Sequence, residues 1–466
     1  MIETDISHIV VIGSDGAGAA AATAAAISLQ NSGIKVSMLR VPKSDAEAGV
    51  EICRGGPAGF HQLLGIDEQK LIRDTGAVIS LGTRYRGFAD DDRACFVPLG
   101  SHGMTLRLVD FHHYAAKLRA ENGEDDFNAY SLPAACAAAG RFNPPGDNGD
   151  PVMKTVAYDT HIESDGYMQF MLGIAVKLGV AVIDGSVAGA NLHADGTIRS
   201  LQLANGQCVE GDFFIDCTED RSAIGHMDGS EEFDDWSEYL PCDRVAVART
   251  ETRSTDLFVS IAANVTGWTR QTSVGRTTVE TRAFSSACGF GSSGSEKSLN
   301  VGSYRQHWVR NCVAIGSAAT TLEPMEVSTL HLAHNAILRL LAMLPRHKTS
   351  EMLAAEFNRV AQAEANGARD YQVLRYALSS RRSGSFWEGL EDLRVPAALQ
   401  ERIKLFAAHG RFTPWENEFA EKSRWVSSLI NFGAWPAAYD PLADMIDEQR
   451  MRGDLRRFRE AVSRLV

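Results

Sequence analysis

The chain has 466 residues, 44% of them hydrophobic, enough for a large core, and a formal net charge of −13. That balance argues against non-specific binding to nucleic acid or anionic membranes, and no basic cluster with interleaved aromatics offsets it. No run approaches the ~18 consecutive apolar residues of a membrane helix. The opening Met1-Ile-Glu-Thr-Asp lacks the basic stretch of a secretory signal, so a cytoplasmic protein is expected. The eight cysteines (Cys53, Cys95, Cys136, Cys208, Cys217, Cys242, Cys288, Cys312) form no Cys-x-x-Cys pair and no Cys/His metal spacing. They read as reduced, mostly buried thiols.

His8–Gly13 (HIVVIG) predicts a short buried strand, Gly16–Ser28 a tightly packed Gly/Ala helix, and Ile34–Val41 the next strand. This βαβ opening implies a parallel sheet with a right-handed crossover. Phe60–Thr75 reads as one helix and Ala77–Phe88 as one strand. Residues 122–159, proline-containing and with polar stretches at both ends of 122–152, read as a surface excursion. Tyr167–Leu178 is helical and leads into a strand at Val180–Asp184. A hairpin follows, Gly185–Leu192 and Ile198–Leu203, with turns at Asp195-Gly196 and Asn205-Gly206. Asp212–Asp216 and Val313–Gly316 are further buried strands, the latter followed by a helix through Leu344. The remainder is mostly helical, with Trp415, Trp425 and Trp435. The expected organisation is a Rossmann-like core over 1–121 and 160–345 with inserted substrate-region strands, the excursion, and a helical region over 346–466.

The first βα turn reads Gly13-Ser14-Asp15-Gly16-Ala17-Gly18. In the dinucleotide fingerprint G-x-G-x-x-G the first glycine permits the turn, the second admits the pyrophosphate, and the third allows close helix–strand packing. Gly13 and Gly18 fit; Asp15 stands in the second position. A carboxylate there sets bulk and like charge against a pyrophosphate held by the helix N-terminus. The end of the second strand, where an acid usually takes the ribose hydroxyls, carries Arg40. An Asp15–Arg40 ion pair filling the adenosine pocket is therefore expected. FAD binding with altered geometry and a purely structural turn both remain open.

Later segments are specific enough to identify a family. Trp308-Val309, Asn311–Glu326 (NCVAIGSAATTLEPME), Trp236–Arg244 (WSEYLPCDR), Gly211–Thr218 (GDFFIDCT) and Trp435–Asp444 (WPAAYDPLAD) resemble segments of the flavin-dependent tryptophan halogenases, in consistent order from about residue 7 to 450. The resemblance implies a Rossmann-like, two-dinucleotide-binding-type α/β flavoprotein fold with a mixed substrate-region sheet and a helical C-terminal part. It also implies chemistry in which a flavin hydroperoxide and halide give hypohalous acid. A lysine then presents the halogen to an indole or similar aromatic, assisted by a glutamate. Glu51, Gly316 and Leu322 match positions near the flavin.

The family's lysine lies in a Phe-Lys-x-Gly-Ile-Arg-Phe strand; here Ile79-Ser80-Leu81-Gly82-Thr83-Arg84-Tyr85 places Ser80 at that position. Serine supplies no ammonium, and without a neighbouring base it is a weak nucleophile. The nearest lysines in sequence, Lys43 and Lys70, belong to other elements. Glu326 matches the assisting glutamate, with a polar helix-start residue as the plain alternative. Ser328 and Thr329 stand where the family has its halide-binding turn, Thr329 in place of a flexible glycine. Of the family's two gating tryptophans only Trp268 remains, and it reads as core. His112-His113 and His331/His334, without acids at metal spacing, read as structural or surface residues.

Asp15, Arg40, Ser80 and the missing second tryptophan depart together while the scaffold segments stay close to the pattern. Three readings follow. The first is a non-catalytic or auxiliary subunit with weak or absent FAD, paired with an intact flavin-dependent halogenase or with itself, and able to bind an aromatic small molecule. The second is an FAD-dependent monooxygenase. The third is a halogenase with relocated catalysis.

Overall fold

The computed structural model describes residues 5–43, 49–56, 59–89, 94–123, 126–144, 151–218, 232–252, 254–289 and 296–466. The N-terminal tetrapeptide of the signal reading, and 124–125 and 145–150 of the expected excursion, lie outside these. The fold is mixed α/β, as expected, and the chain divides into two compact units. The first comprises 1–77, 162–248 and 292–366; the second comprises 78–161, 249–291 and 367–466.

In the first unit the apolar run of His8–Gly13 becomes the centre of a six-stranded sheet. It pairs in parallel with Lys35–Arg40 on one side and Phe213–Cys217 on the other. Ala181–Asp184 extends the sheet beyond Lys35–Arg40, and Cys312–Ala314 extends it beyond Phe213–Cys217. Side chains alternate across a strand, and both faces are covered. Ile9, Val11, Met38, Phe213 and Ile215 pack against helices Gly16–Ser28, Ser164–Lys177 and Thr329–Ala342. Val10, Ile12, Leu39 and Phe214 pack against Ile198, Leu201, Leu203 and Val209 of a three-stranded antiparallel meander, Val187–Leu192, Ile198–Leu203 and Cys208–Glu210. Parallel strands buried on both faces need such continuous apolar runs.

Two predicted elements divide. Phe60–Thr75 forms two helices, Phe60–Leu63 and Glu68–Thr75. Gly65 adopts a left-handed φ of 70°, and the Asp67 carboxylate accepts from the amides of Gln69 (2.9 Å) and Lys70 (3.1 Å), starting a new helix. Ala77–Phe88 divides into Val78–Ser80 and Gly82–Arg86, which join different sheets.

In the second unit Val78–Ser80 pairs with Asp159–His161, placing Ser80 opposite Asp159. Five strands of the larger, seven-stranded sheet run Thr277–Phe284, Gly267–Val274, Val259–Ala263, Gly82–Arg86, Cys95–Pro98, and among these Val259–Ala263 pairs with Gly82–Arg86 in parallel. The expected excursion is partly core. Phe127–Tyr130 and Leu132–Ala139 are helical, and Phe127, Tyr130, Leu132 and Cys136 are buried. The apolar Leu132–Ala139 run, capped by the Ser131 hydroxyl on the Ala134 amide (3.3 Å), outweighs its polar flanks.

Buried histidines, His102, His112 and His161 foremost, give this unit an acid-sensitive core. Burial lowers His102 and His112 to about 4 and His161 to about 3, so they stay neutral while an unfolded chain would protonate near 6.5. Below that pH the unfolded state binds more protons, so stability falls from about pH 6.5 toward the folded values and is fully present above it. The limiting slope is on the order of 1.4 kcal/mol per pH unit for each histidine. Melting temperature should drop steeply between about pH 6.5 and 4, and His102→Gln should flatten that slope; an unchanged slope in the variant would show that His102 does not contribute.

Candidate functional site

The two retained glycines of the first turn sit in close contact. A Cβ on Gly13 would meet the Cys217 carbonyl at 3.0 Å and Gly18 Cα at 3.2 Å; one on Gly18 would meet Gly13 Cα at 3.2 Å and Met38 Cε at 3.3 Å. Strand and helix therefore approach as closely as in a dinucleotide fold. Asp15 changes what the turn can do. With φ −128° it is the N-cap of Gly16–Ser28, and its Oδ1 accepts from the amides of Ala17 (3.0 Å) and Gly18 (3.1 Å). Those first-turn donors are what a helix N-terminus offers a phosphate. Here the chain's own carboxylate fills that role.

The expected Asp15–Arg40 pair is replaced. Arg40 Nε and Nη2 donate to Asp184 at 2.6 and 3.0 Å. Arg40 and Asp184 are register neighbours on adjacent parallel strands, so their side chains emerge together, whereas Asp15 folds back onto its own helix. Both members are exposed, which limits the pair to about 0–1 kcal/mol.

Glu51 accepts from the Ser164 hydroxyl at 3.0 Å. Gly316 has φ 69°, and a Cβ there would lie 3.4 Å from Ala17 Cβ. Leu322 and Glu326 are buried. Ser328 is the N-cap of Thr329–Ala342, its hydroxyl oxygen accepting from the Leu330 amide at 3.2 Å, and Thr329 is the first helical residue. The helix-capping role thus accounts for the serine of the expected halide turn.

In the second unit Ser80 is buried and donates to the Gly82 carbonyl at 3.2 Å. A hydroxyl bonded to its own turn offers no cation. Trp268 is core, its Nε1 donating to the Tyr376 hydroxyl at 2.8 Å. His112 and His113 are structural: His112 Nε2 donates to the Gly410 carbonyl (2.7 Å) and His113 Nδ1 accepts from the Asp440 amide (3.1 Å).

Two features have no local sequence signal. One is a cavity of about 450 Å³ in the second unit, lined among others by His102, Phe111, Phe127, Lys154, Lys422 and Val426. His102 stacks on Phe127 (3.9 Å) and meets Asn128 Oδ1 at 2.9 Å. Lys422 donates to Asp110 at 2.5 Å, while Lys154 is exposed. The other is a buried group in the first unit, Cys53, His61 and His334, whose ligand atoms lie within 4.8 Å of one another. Burial lowers His61 to about 4 and His334 well below its ordinary value, keeping both imidazoles neutral. His334 is thus no surface residue.

The tryptophan halogenase family model matches residues 8–448. The chain belongs to that family. It is 24% identical to the tryptophan 6-halogenase ThaL of Streptomyces albogriseolus over 448 residues, 87% of this chain and 83% of that protein. Against the tryptophan 7-halogenase RebH of Lentzea aerocolonigenes it is 25% identical over 320 residues, 61% of this chain and 60% of that protein's length. Among solved structures, BrvH, a flavin-dependent halogenase from Brevundimonas sp. BAL3, superposes with a TM-score of 0.91 at 26% identity, covering 99% of this chain and 96% of that one. A flavin-dependent halogenase from Xanthomonas campestris gives 0.90 at 26% identity, covering 99% and 95%. FAD is the cofactor of this flavin-dependent halogenase family. Gly13 and Gly18 keep the close strand–helix approach of a dinucleotide turn; Asp15, set on the Ala17 and Gly18 amides, does not fit a pyrophosphate there. Among the described residues no helix is long and apolar enough to cross a membrane.

Proposed function

We propose that this halogenase-family chain does not halogenate by itself. It serves as a non-catalytic or auxiliary subunit of an indole- or tryptophan-type halogenation system, paired with an intact flavin-dependent halogenase. The observation that carries this reading is the Asp15 carboxylate on the Ala17 and Gly18 amides, which leaves FAD weakly bound or unbound. Ser80 supports it from the second unit, because its hydroxyl is committed to Gly82 and offers no ammonium to a halogen donor.

The cavity of about 450 Å³ lies within the usual range for small-molecule sites. Phe111 and Phe127 offer aromatic faces, and the exposed Lys154 offers an ammonium to a carboxylate. It fits the binding, without transformation, of an aromatic acid. Lys154→Glu should weaken binding of tryptophan, followed by calorimetry, roughly tenfold or more, since it replaces attraction by repulsion at an exposed site. Equal affinity in wild type and variant would remove Lys154 from the site.

The activity test supplies FAD, a flavin reductase, NADH, dioxygen, chloride or bromide, and tryptophan. The expected result is no halogenated or hydroxylated product from this chain alone, and stable co-purification when it is co-expressed with an intact homologue. Halogenated product would overturn the proposal; hydroxylated product would replace it with the monooxygenase reading.

A further inference from the structure

Four side chains that no part of this reading uses converge in the first unit. Cys53 comes from the strand Val50–Arg54, His61 from the short helix Phe60–Leu63, and His334 from the helix Thr329–Ala342. The fourth, Tyr167, comes from Ser164–Lys177. All four are at most 4% exposed. The Tyr167 hydroxyl sits between the two imidazoles, 2.9 Å from His61 Nε2 and 2.8 Å from His334 Nε2. The His334 ring is held by parallel stacking on Phe60, with centroids 3.9 Å apart and planes at 2°. The Tyr167 ring lies against the start of the opening helix, where a Cβ on Gly16 would come within 2.6 Å of it. The position and orientation of each ring are thus fixed by packing as well as by hydrogen bonds, as the ligands of a metal site are fixed by their surroundings.

We infer that Cys53, His61 and His334 form a binding site for one divalent, borderline-soft transition metal ion, zinc foremost, with the Tyr167 hydroxyl as the fourth donor.

One thiolate and two imidazoles are a ligand set that zinc and cobalt accept in tetrahedral geometry. Bonds of about 2.0–2.3 Å place tetrahedral ligand atoms roughly 3.3–3.7 Å apart. The three atoms already lie within 4.8 Å, so closure needs shifts of about an ångström or less. Binding removes one proton, from the Cys53 thiol, and the sulfur lone pair takes its place on the metal. One positive charge is left on the centre, with Tyr167 remaining a neutral phenol. Because the group is buried, the ion enters as the chain folds, and metal binding contributes to stability. The four residues come from four separate elements, so an occupied site ties three helices to the strand Val50–Arg54 beside the altered cofactor turn.

The test is expression of the full chain in cobalt-supplemented medium, followed by metal analysis, visible spectroscopy and X-ray absorption. The expected result is about one cobalt per chain, a thiolate-to-cobalt charge-transfer band, strong tetrahedral d–d bands, and one sulfur with at least two nitrogens around the metal. Cys53→Ser should lose the charge-transfer band, and His334→Gln should lose most of the bound metal. If either variant fails to fold, the sulfur-to-nitrogen ratio of the wild-type protein decides the matter. Less than about a tenth of an equivalent of cobalt in folded wild type, an octahedral spectrum, or a charge-transfer band that survives Cys53→Ser would overturn the inference.

Discussion

Asp15→Gly is expected to raise FAD affinity by about ten- to a hundredfold. The substitution frees the Ala17 and Gly18 amides, which now receive Asp15 Oδ1, and removes a negative charge from beside the pyrophosphate position. Two unit charges ~4 Å apart repel by about 4 kcal/mol at an effective dielectric near 20, and solvent screening at this half-buried turn leaves part of that. Each ~1.4 kcal/mol recovered is tenfold in affinity. Glycine is itself a tolerable N-cap, so the fold should lose only a few tenths of a kcal/mol. Asp15→Asn separates the two effects, since it keeps the cap and removes the charge. The predicted order of affinity is Gly, then Asn, then wild type, read by flavin fluorescence quenching. No gain in either variant would mean that another part of the scaffold excludes the flavin. Arg40→Glu, the change the family pattern invites, should not help, because it would set a second carboxylate against Asp184.

Glu418→Leu is expected to cost the second unit about 3–5 kcal/mol. Arg402 donates to Glu418 in bidentate fashion, Nη1 and Nη2 each at 2.9 Å, with both side chains under a tenth exposed. The guanidinium is caged by aromatic rings, 3.7 Å from the Trp415 centroid, 4.5 Å from Trp425 and 4.6 Å from Phe412. Glu418 also accepts from the Trp415 amide at 2.9 Å. Removing the carboxylate leaves a buried cation whose partner cannot be replaced by water, which is the expensive way to break such a pair. Arg402→Met together with Glu418→Leu should recover most of the loss, because neither charge is then stranded. Urea denaturation of the two single variants and the double variant measures this directly; additive losses would show that the pair is not coupled.

Much of the fold was legible because its signals are local. His8–Gly13 and Gly16–Ser28 form with the predicted bounds, since an apolar run ended by glycine and a Gly/Ala stretch leave few alternatives. The hairpin turns at Asp195-Gly196 and Asn205-Gly206 also lie where read, with both glycines left-handed. The errors have physical sources. The periodicity of Phe60–Thr75 did not reveal that Gly65 and Asp67 end one helix and start another. The polar flanks of 122–159 concealed the buried Leu132–Ala139 helix.

At the site, the substitutions themselves were readable and their partners were not. Asp15 and Ser80 stood out against fixed patterns, but the choice of Asp184 by Arg40 depends on strand order, which brings Ala181–Asp184 beside Lys35–Arg40. Cys53, His61, Tyr167 and His334 share no sequence spacing, and only the packing of helices on the central sheet brings them together.

The most direct measurement is an anaerobic titration of the wild-type protein with oxidised and with reduced FAD, followed by absorbance and calorimetry. No saturable binding of either form is expected at high-micromolar flavin. Binding of either form in the micromolar range or tighter would contradict this, because the Asp15 carboxylate would then have yielded the Ala17 and Gly18 amides to the cofactor.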